Sequence, residues 1–177
     1  MGTLLLITAG AAVLLAAVWL GRVHRDLAAS RLAALQTWEQ LRHELAVRRE
    51  NVPYLVVGAS GAAAQAVEVL GNAGDLAGHA VGVPEVSKAE TRLTAALRRL
   101  LEIIAEEPEL RESPRLKAIV QEVEGCNRRL EFLGQLYNEQ VMAFNAIMDR
   151  SGAWLVARVV SLRKLPAFEG IGPLRGD

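Results

Sequence analysis

The strongest periodic pattern in the chain lies in residues 114–148, PRLKAIVQEVEGCNRRLEFLGQLYNEQVMAFNAIM. Apolar side chains recur there every seven residues, and a second row, offset by three or four residues, widens the stripe. The seven-residue series consists of Leu116, Val123, Leu130, Tyr137 and Phe144. Such a stripe predicts a long helix that packs at a shallow angle against antiparallel neighbours. We therefore expect an all-α protein, an up-and-down helical bundle in which this segment is the third long helix.

Local signals predict where this third helix begins and ends. Pro114 suits the first helical position, where its missing N–H needs no partner, and Ser113 is the natural N-cap. Ser151 and Gly152 are expected to end the helix, because glycine readily adopts the left-handed conformation that follows a helix.

The first long helix is predicted to continue directly from the N-terminal segment. Its apolar stripe consists of Ala34, Trp38, Leu41, Leu45 and Val52. The charged residues between them are predicted to form an exposed opposite face: Glu39, Arg42, Glu44, Arg48, Arg49 and Glu50. Pro53 removes a backbone donor and predicts a break near residues 49–52, after which a stripe of smaller side chains resumes and ends at Leu70.

The second long helix is expected to begin after a weak region. Four glycines and Pro84 make residues 71–86 a poor helix, and we expect a mobile connection there. Ser87 and Glu90 have the spacing of a capping box, which predicts a helix start near Ser87. This helix is expected to end near Pro108, and its core-facing row is Leu93, Leu97, Leu100 and Ile104.

The sequence predicts three regions. Residues 1–21 form a membrane anchor, residues 22–165 form the helical bundle, and residues 166–177 form a flexible tail rich in glycine and proline. Within the bundle, a short fourth helix is expected over residues 153–165, with Trp154 and Leu162 on its apolar side.

The anchor is predicted from an uncharged segment, Gly2–Gly21, with the sequence GTLLLITAGAAVLLAAVWLG. A helix of this length spans about 30 Å, the thickness of the hydrocarbon layer of a bilayer. A cleaved signal peptide would have a basic region before a shorter apolar run, and neither feature is present. We therefore expect an uncleaved, single-pass transmembrane helix.

The charges beside the anchor predict its orientation. Arg22, Arg25 and Arg31 follow the apolar segment, and no Lys or Arg precedes it. The positive-inside bias then places the N-terminus outside and the bundle in the cytoplasm. Trp19, Arg22 and Arg25 are the residues expected to contact lipid headgroups.

The composition and the motifs argue against several classes of function. With 20 basic and 20 acidic residues, the chain lacks the excess positive charge typical of nucleic-acid binders. A Gly-rich phosphate loop and the HExxH, CxxC and GxSxG motifs are absent from the sequence. None of the three histidines has a Glu three residues before it, as a di-iron carboxylate site would require. The lone Cys126 lies among apolar residues and is expected to be a small buried side chain. We expect no catalytic residue, no cofactor and no metal ion, and hence not an enzyme.

Polar residues on the third helix are the candidate site. Asn127 falls within the apolar stripe, and Asn138 and Asn145 flank it, with Tyr137 beside the first of these two. A buried amide must be hydrogen-bonded or it costs about 1–3 kcal/mol. The four residues therefore either tie the bundle together or line a small polar pocket for a ligand. Gly134, in the same stripe, either permits a close helix approach or leaves a hole.

Short motifs along nearly the whole soluble part resemble one protein family. The third helix carries Tyr137-Asn138, Val141 and Phe144-Asn145, which resembles the YN-x-x-V-x-x-YN signature of the LemA family. The other matching motifs are WEQ at 38–40, VPYLV at 52–56, EPEL at 107–110, LVA at 155–157 and FE at 168–169. Phe144 stands where the family has its second Tyr and Gly134 where it has Arg, so the chain resembles a divergent member. The resemblance implies a bacterial protein with a membrane anchor and a helical-bundle body, and no particular activity.

Two classes of function remain open from the sequence. The first is a membrane-anchored scaffold or protein-interaction module that contacts lipid through its anchor and associates with itself or with another membrane protein. The second is a ligand-binding or sensing bundle that uses Tyr137, Asn138 and Asn145. A basic surface that includes Arg158, Arg163 and Lys164, in contact with anionic lipid, is a further possibility.

Overall fold

The computed structural model describes residues 1–59, 61, 63–150, 152–154, 158 and 161–174, and for residues 3–6 it describes the backbone alone. Within these residues the regular structure is entirely helical, which confirms the all-α prediction. The helices are α1 (Gly2–Glu50), α2 (Val52–Ala59), α3 (Ala64–His79), α4 (Val83–Glu106), α5 (Pro108–Arg111) and α6 (Pro114–Asp149).

The chain forms two compact units. Unit 1 comprises Met1–Gln36 and Glu139–Leu165, and unit 2 comprises Thr37–Asn138 and Pro166–Asp177. Each unit therefore contains one part of α1 and one part of α6. Helices α2, α3, α4 and α5 belong to unit 2.

The core of unit 2 is built on the predicted apolar rows. On α4, the residues Leu93, Leu97 and Leu100 are fully buried, as their spacing of three and four residues predicted. They belong to one apolar cluster with Leu70 of α3 and Val123 of α6. Helix α6 begins at Pro114 as predicted, and the Ser113 hydroxyl accepts a hydrogen bond from the Leu116 N–H at 3.4 Å.

The predicted break at Pro53 is confirmed. Helix α1 ends at Glu50, the Asn51 N–H donates to the Arg48 carbonyl in a turn, and α2 begins at Val52. Proline is tolerated at the second position of α2, because the N–H that it lacks has no partner within the first helical turn.

The prediction of a mobile connection over residues 71–86 is wrong. Helix α3 continues through Gly71, Gly74 and Gly78 to His79, and α4 already begins at Val83. The cost of glycine in a helix is offset here by packing. Four apolar side chains of α3, those of Val67, Leu70, Ala73 and Ala77, are buried in the core. A Cβ atom at Gly74 would lie 3.3 Å from the Val52 Cγ1 atom, so this glycine allows α3 to approach α2 closely.

The predicted capping box is also wrong. Ser87 and Glu90 lie inside α4 and are buried, at 8 % and 0 % exposure. Helix α4 instead starts after Gly82, whose φ of 86° favours glycine, and it has Pro84 in its first turn.

Unit 1 contains a small apolar cluster around Leu27 and Phe144. Both side chains are almost fully buried, at 1 % and 0 % exposure, and Val23, Ile147, Met148, Leu162 and Leu165 pack against them. The rest of this part of α1 is largely exposed. An 18-residue window of α1 has a mean hydropathy of 1.5 and none of it is buried within the protein, so it has the length and composition of a membrane-spanning helix.

The residues after α6 differ from the predictions. Ala153, Trp154 and Arg158 are helical, but residues 162–165 are not, and Ser161 has a φ of 54°. Leu155, Val156, Ala157 and Val159 of the predicted fourth helix lie outside the described residues. Residues 166–174, predicted to be part of a flexible tail, are instead held in unit 2, where Phe168 and Leu174 are buried at 3 % and 5 % exposure. Residues 175–177 lie outside the described part.

Replacing Gly71 by Ala tests the helical state of α3. The added Cβ would contact nothing within 4 Å, so Gly71→Ala is expected to raise the free energy of unfolding by about 0.5–1 kcal/mol through the lower conformational entropy of the unfolded chain. Gly74→Ala is the matched control and is expected to gain less, because its Cβ crowds Val52. Urea denaturation of the full chain in detergent measures both. Equal values for the two variants would argue against the close contact between α2 and α3.

Candidate functional site

A buried ion pair connects α1 to α4 in unit 2. The side chains of Arg48 and Glu90 are fully buried, and the Arg48 Nη2 atom donates to Glu90 Oε2. Arg49, which is 25 % exposed, donates from Nη1 to Glu90 Oε1 at 2.7 Å. The prediction that Arg48 lies on an exposed face is therefore wrong. It occupies the gap between Leu45 and Val52 in the apolar stripe, and this gap is the sequence signal that could have placed it.

Arg48 also reaches α6. Its Nη1 atom donates to Thr94 Oγ1 at 3.2 Å and to Asn127 Oδ1 at 3.0 Å. Its Nε atom has no hydrogen-bond partner among the described atoms. Two guanidinium groups thus share one carboxylate, and the neutral dipoles of Thr94 and Asn127 compensate part of the remaining positive charge.

The contacts of Arg48 decide which atoms of Thr94 and Asn127 remain as donors. The Thr94 oxygen accepts from Arg48 and donates its own hydrogen to the Gly170 carbonyl at 3.1 Å. The Asn127 amide accepts from Arg48 through its oxygen, and its nitrogen donates to the Gly172 carbonyl at 3.1 Å and to Glu131 Oε1 at 2.7 Å. Arginine has only hydrogen-bond donors, so the oxygens of Thr94 and Asn127 act as acceptors for it. The donors that remain, the Thr94 hydroxyl and the Asn127 amide N–H, bind carbonyls of residues 166–174.

Four other side chains of α4 and α6 bind the main chain of the same segment. From α4, Ser87 Oγ accepts from the Glu169 N–H at 3.1 Å and Arg98 Nη2 donates to the Pro173 carbonyl at 2.9 Å. From α6, the Tyr137 hydroxyl donates to the Pro166 carbonyl at 3.0 Å, and Asn138 both donates to and accepts from the main chain of Phe168, each at 2.8 Å. We call this surface, formed by Ser87, Thr94, Arg98, Asn127, Tyr137 and Asn138, the α4/α6 groove.

The ring of Phe168 fills an apolar pocket at one end of the groove. Its centroid lies 5.7 Å from that of Trp38, which in turn lies 5.4 Å from that of Tyr137. A Cβ atom at Gly134 would lie 3.6 Å from the ring of Phe168. Gly134 was expected either to permit a close helix approach or to leave a hole. The structure favours the second alternative, and the ring of Phe168 occupies the space that a side chain at Gly134 would take. Burial in this cluster raises the pKa of the Tyr137 hydroxyl, which remains a hydrogen-bond donor.

Asn145 makes the corresponding contact in unit 1. Its amide nitrogen donates to the Leu165 carbonyl at 2.9 Å, and its oxygen accepts from the Leu165 N–H at 3.0 Å. Of the four predicted polar residues, Asn127, Tyr137 and Asn138 thus share one groove, and Asn145 acts separately. In each case the partner is the main chain of a residue that follows α6.

The comparison with known families matches the chain to one of them. A family model described as the LemA family matches residues 37–172, a range that contains the whole α4/α6 groove and most of the segment bound in it. The chain belongs to the LemA family. The resemblance seen in its short motifs is thereby confirmed. No curated protein matches the chain. LemA family membership and the apolar part of α1 together indicate a membrane-associated protein.

The structure shows what the asparagines of the Tyr137-Asn138 and Phe144-Asn145 pairs do in this LemA family chain. The side-chain amide of Asn138 binds both the N–H and the carbonyl of Phe168, and that of Asn145 binds both groups of Leu165. Each amide thus supplies the two main-chain hydrogen bonds that a helix or a sheet would otherwise provide. Phe144, which stands where the family motif has Tyr, is fully buried in the apolar cluster of unit 1.

Cys126 and the acidic groups form no metal site among the residues that the structure describes. The Cys126 thiol is buried and lies 3.5 Å from the Glu44 carbonyl, to which it donates. Burial, together with the nearby Glu44 carboxylate, raises the pKa of the thiol to about 12. The expectation of a small buried cysteine is confirmed, and such a thiol is a poor nucleophile at neutral pH.

The predicted headgroup residues belong to unit 1. Trp19, Arg22 and Arg25 are exposed on α1, and Trp19 retains 44 % of its accessible surface. Its ring also lies over Gly152, where a Cβ atom would be 2.6 Å from the ring. Gly152 has a φ of 88°, so glycine is favoured there both by the backbone conformation and by the contact.

Removing the charge of Glu90 tests the buried ion pair. Glu90→Gln leaves Arg48 and Arg49 without a counter-charge and is expected to lower the free energy of unfolding by about 3–5 kcal/mol. Glu102→Gln is the matched control on the same helix, because Glu102 is half exposed and pairs with Arg99 on the surface. This control is expected to change stability little. Similar losses for both variants in thermal or urea unfolding would contradict a desolvated Glu90.

A substitution in the bound segment tests its fit to the groove. Gly170 has a φ of 122°, and a Cβ atom there would lie 2.5 Å from the Ser87 carbonyl oxygen. Gly170→Ala is therefore expected to destabilise the native state by about 1–3 kcal/mol and to expose residues 166–174 to proteolysis. Gly172→Ala is the control, since its Cβ would approach nothing closer than 3.7 Å. Equal cleavage of the two variants would contradict this packing.

Proposed function

We propose that the protein is a membrane-anchored helical scaffold or protein-interaction module without a catalytic site. The observation that carries this proposal is the exposed apolar window of α1, which has a mean hydropathy of 1.5 and is not buried at all within the protein. A helix of this composition in a soluble core would be mostly buried. Exposed apolar surface of such extent is stable only against lipid or another protein.

The flanking charges support an N-terminus outside the cell and a bundle in the cytoplasm. Arg22, Arg25 and Arg31 are all exposed on the part of α1 that follows the apolar window, where they would meet the cytoplasmic headgroups. This proposal assigns the protein to a bacterial cell membrane as a single-pass protein.

The hydrogen bonds of the polar residues support a structural role more than a ligand site. Both amide atoms of Asn138 are used by Phe168, both amide atoms of Asn145 are used by Leu165, and the Tyr137 hydroxyl donates to Pro166. A small ligand at these residues would have to displace the main chain that they hold.

Membrane fractionation of the full chain tests the anchor. Wild-type protein is expected to stay with membranes through an alkaline carbonate wash. Replacing both Leu14 and Leu15 by Arg is expected to move it to the soluble fraction, because each Arg at the centre of a span costs about 2.5–3.5 kcal/mol of insertion free energy. Leu32→Arg is the control, since Leu32 is exposed but lies beyond the apolar segment. Release of the wild-type protein by carbonate would contradict the proposal.

Single introduced cysteines test the orientation. Native Cys126 can remain in place, because it is buried and the raised pKa of its thiol makes it slow to react. A cysteine at the exposed position Glu102 is expected to react with a membrane-impermeant maleimide only after the cells are lysed. Labelling of intact cells at this position would place the bundle outside.

A further inference from the structure

The α4/α6 groove has the chemistry of a peptide-binding site. Its six polar side chains bind the main chain of residues 166–174, through the carbonyls of Pro166, Phe168, Gly170, Gly172 and Pro173 and the N–H groups of Phe168 and Glu169. None of these contacts uses a polar side chain of the segment. Main-chain recognition with separate pockets for alternate side chains is the usual way in which a protein binds an extended peptide.

Selectivity comes from a few positions of the segment. Phe168 and Leu174 are buried, and Gly170 and Gly172 lie between them, whereas Glu169 and Pro173 are exposed. The segment thus buries Phe168 and Leu174 most deeply, half-buries the three residues from Gly170 to Gly172, and leaves Glu169 and Pro173 in solvent. The pocket of Trp38, Gly134 and Tyr137 accepts an aromatic ring, and the close contact with Ser87 excludes any Cβ at position 170. The groove is therefore selective for Phe at position 168, Gly at position 170 and Leu at position 174, and it leaves room for a Cβ atom at position 172.

The groove is already formed by donors that do not depend on the segment. Arg48 holds the acceptor atoms of Thr94 and Asn127 from within the core, so their donors point to the carbonyls of Gly170 and Gly172. Residues 166–174 belong to no helix, and their departure breaks no hydrogen bond within α4 or α6. A released groove would expose oriented donors and an empty aromatic pocket, and both favour binding of another extended segment.

We propose that the α4/α6 groove binds residues 166–174 of a second copy of this chain, in exchange for its own. The second copy is the occupant whose sequence is known to match the groove at Phe168, Gly170 and Leu174, including the glycine that the close contact with Ser87 requires. Because the contacts in the exchanged pair are the same as those within one copy, exchange needs little beyond a high local concentration. The inference rests in this respect on the proposed membrane anchor, which concentrates the copies in one plane. Reciprocal exchange gives a symmetric dimer.

Disulfide trapping between two tagged full-length chains tests the exchange in membranes. One chain carries Ser87→Cys and the other carries Glu169→Cys. In the native contact, the Ser87 Oγ atom lies 3.1 Å from the Glu169 backbone nitrogen. A chain with both substitutions shows whether the disulfide can form at all. We expect a mixed dimer whose disulfide is mapped to these two positions by mass spectrometry. An internal disulfide in the double variant without any mixed dimer would overturn the proposal.

Two further variants separate specific exchange from random collision. Adding Gly170→Ala to the chain with Glu169→Cys is expected to abolish the mixed dimer, because that segment no longer fits, and adding Gly172→Ala is expected to preserve it. If both additions leave the mixed dimer unchanged, the disulfide reports collision and the proposal fails. Failure of the membrane anchor is seen independently, as release of the wild-type chain in the carbonate wash.

A synthetic peptide of residues 166–177 provides a second readout that needs no disulfide. Full-length Gly170→Ala protein, whose own segment is displaced, is expected to bind the fluorescent wild-type peptide saturably and more tightly than wild-type protein does. The same peptide with Phe168→Ala is expected to bind at least tenfold more weakly, because it lacks the ring that fills the aromatic pocket. Absence of binding, or equal binding of the two peptides, would overturn the assignment of the groove.

Discussion

A charged guanidinium group enclosed by three helices is the constraint on which unit 2 depends. Arg48 is fully buried, and an uncompensated charge in a protein interior costs several kcal/mol. Glu90, Thr94 and Asn127 offset that cost only when α1, α4 and α6 are in one particular register, because each contributes atoms within hydrogen-bond distance of the same group. We infer that this cluster specifies the arrangement of the helices more than it adds net stability, as buried polar groups do in some helical assemblies.

The same charge determines how the segment after α6 is held. Arginine can only donate, so the oxygens of Thr94 and Asn127 serve as acceptors, and their hydrogens are left for the carbonyls of Gly170 and Gly172. A segment without a helix or a sheet has unpaired main-chain groups, and burial of such groups is costly. The side chains of α4 and α6 supply the missing partners, and Phe168 adds the apolar contact that makes its own burial favourable.

This organisation explains why several polar residues of this LemA family chain are buried. Within the described residues, Asn138 and Asn145 are directed to main-chain atoms, and the thiol of Cys126 is buried and hard to ionise. The two features that we propose to contact other molecules are the exposed apolar part of α1 and the groove that residues 166–174 occupy. We propose lipid as the partner of the first feature and an extended chain as the partner of the second.

The sequence by itself determined the features that depend on local or periodic signals. The α6 stripe, the start at Pro114, the break at Pro53, the buried row of α4 and the apolar anchor segment all follow from residue spacing or from the geometry of proline. Tertiary structure alone decided the rest. Arg48 fills a gap in the apolar stripe, but the partners that make its burial favourable lie 42 and 79 residues away in sequence, and a periodic pattern cannot identify them. Residues 71–79 remain helical because packing outweighs the low helix propensity of glycine, and residues 166–174 are ordered because other helices supply their hydrogen bonds.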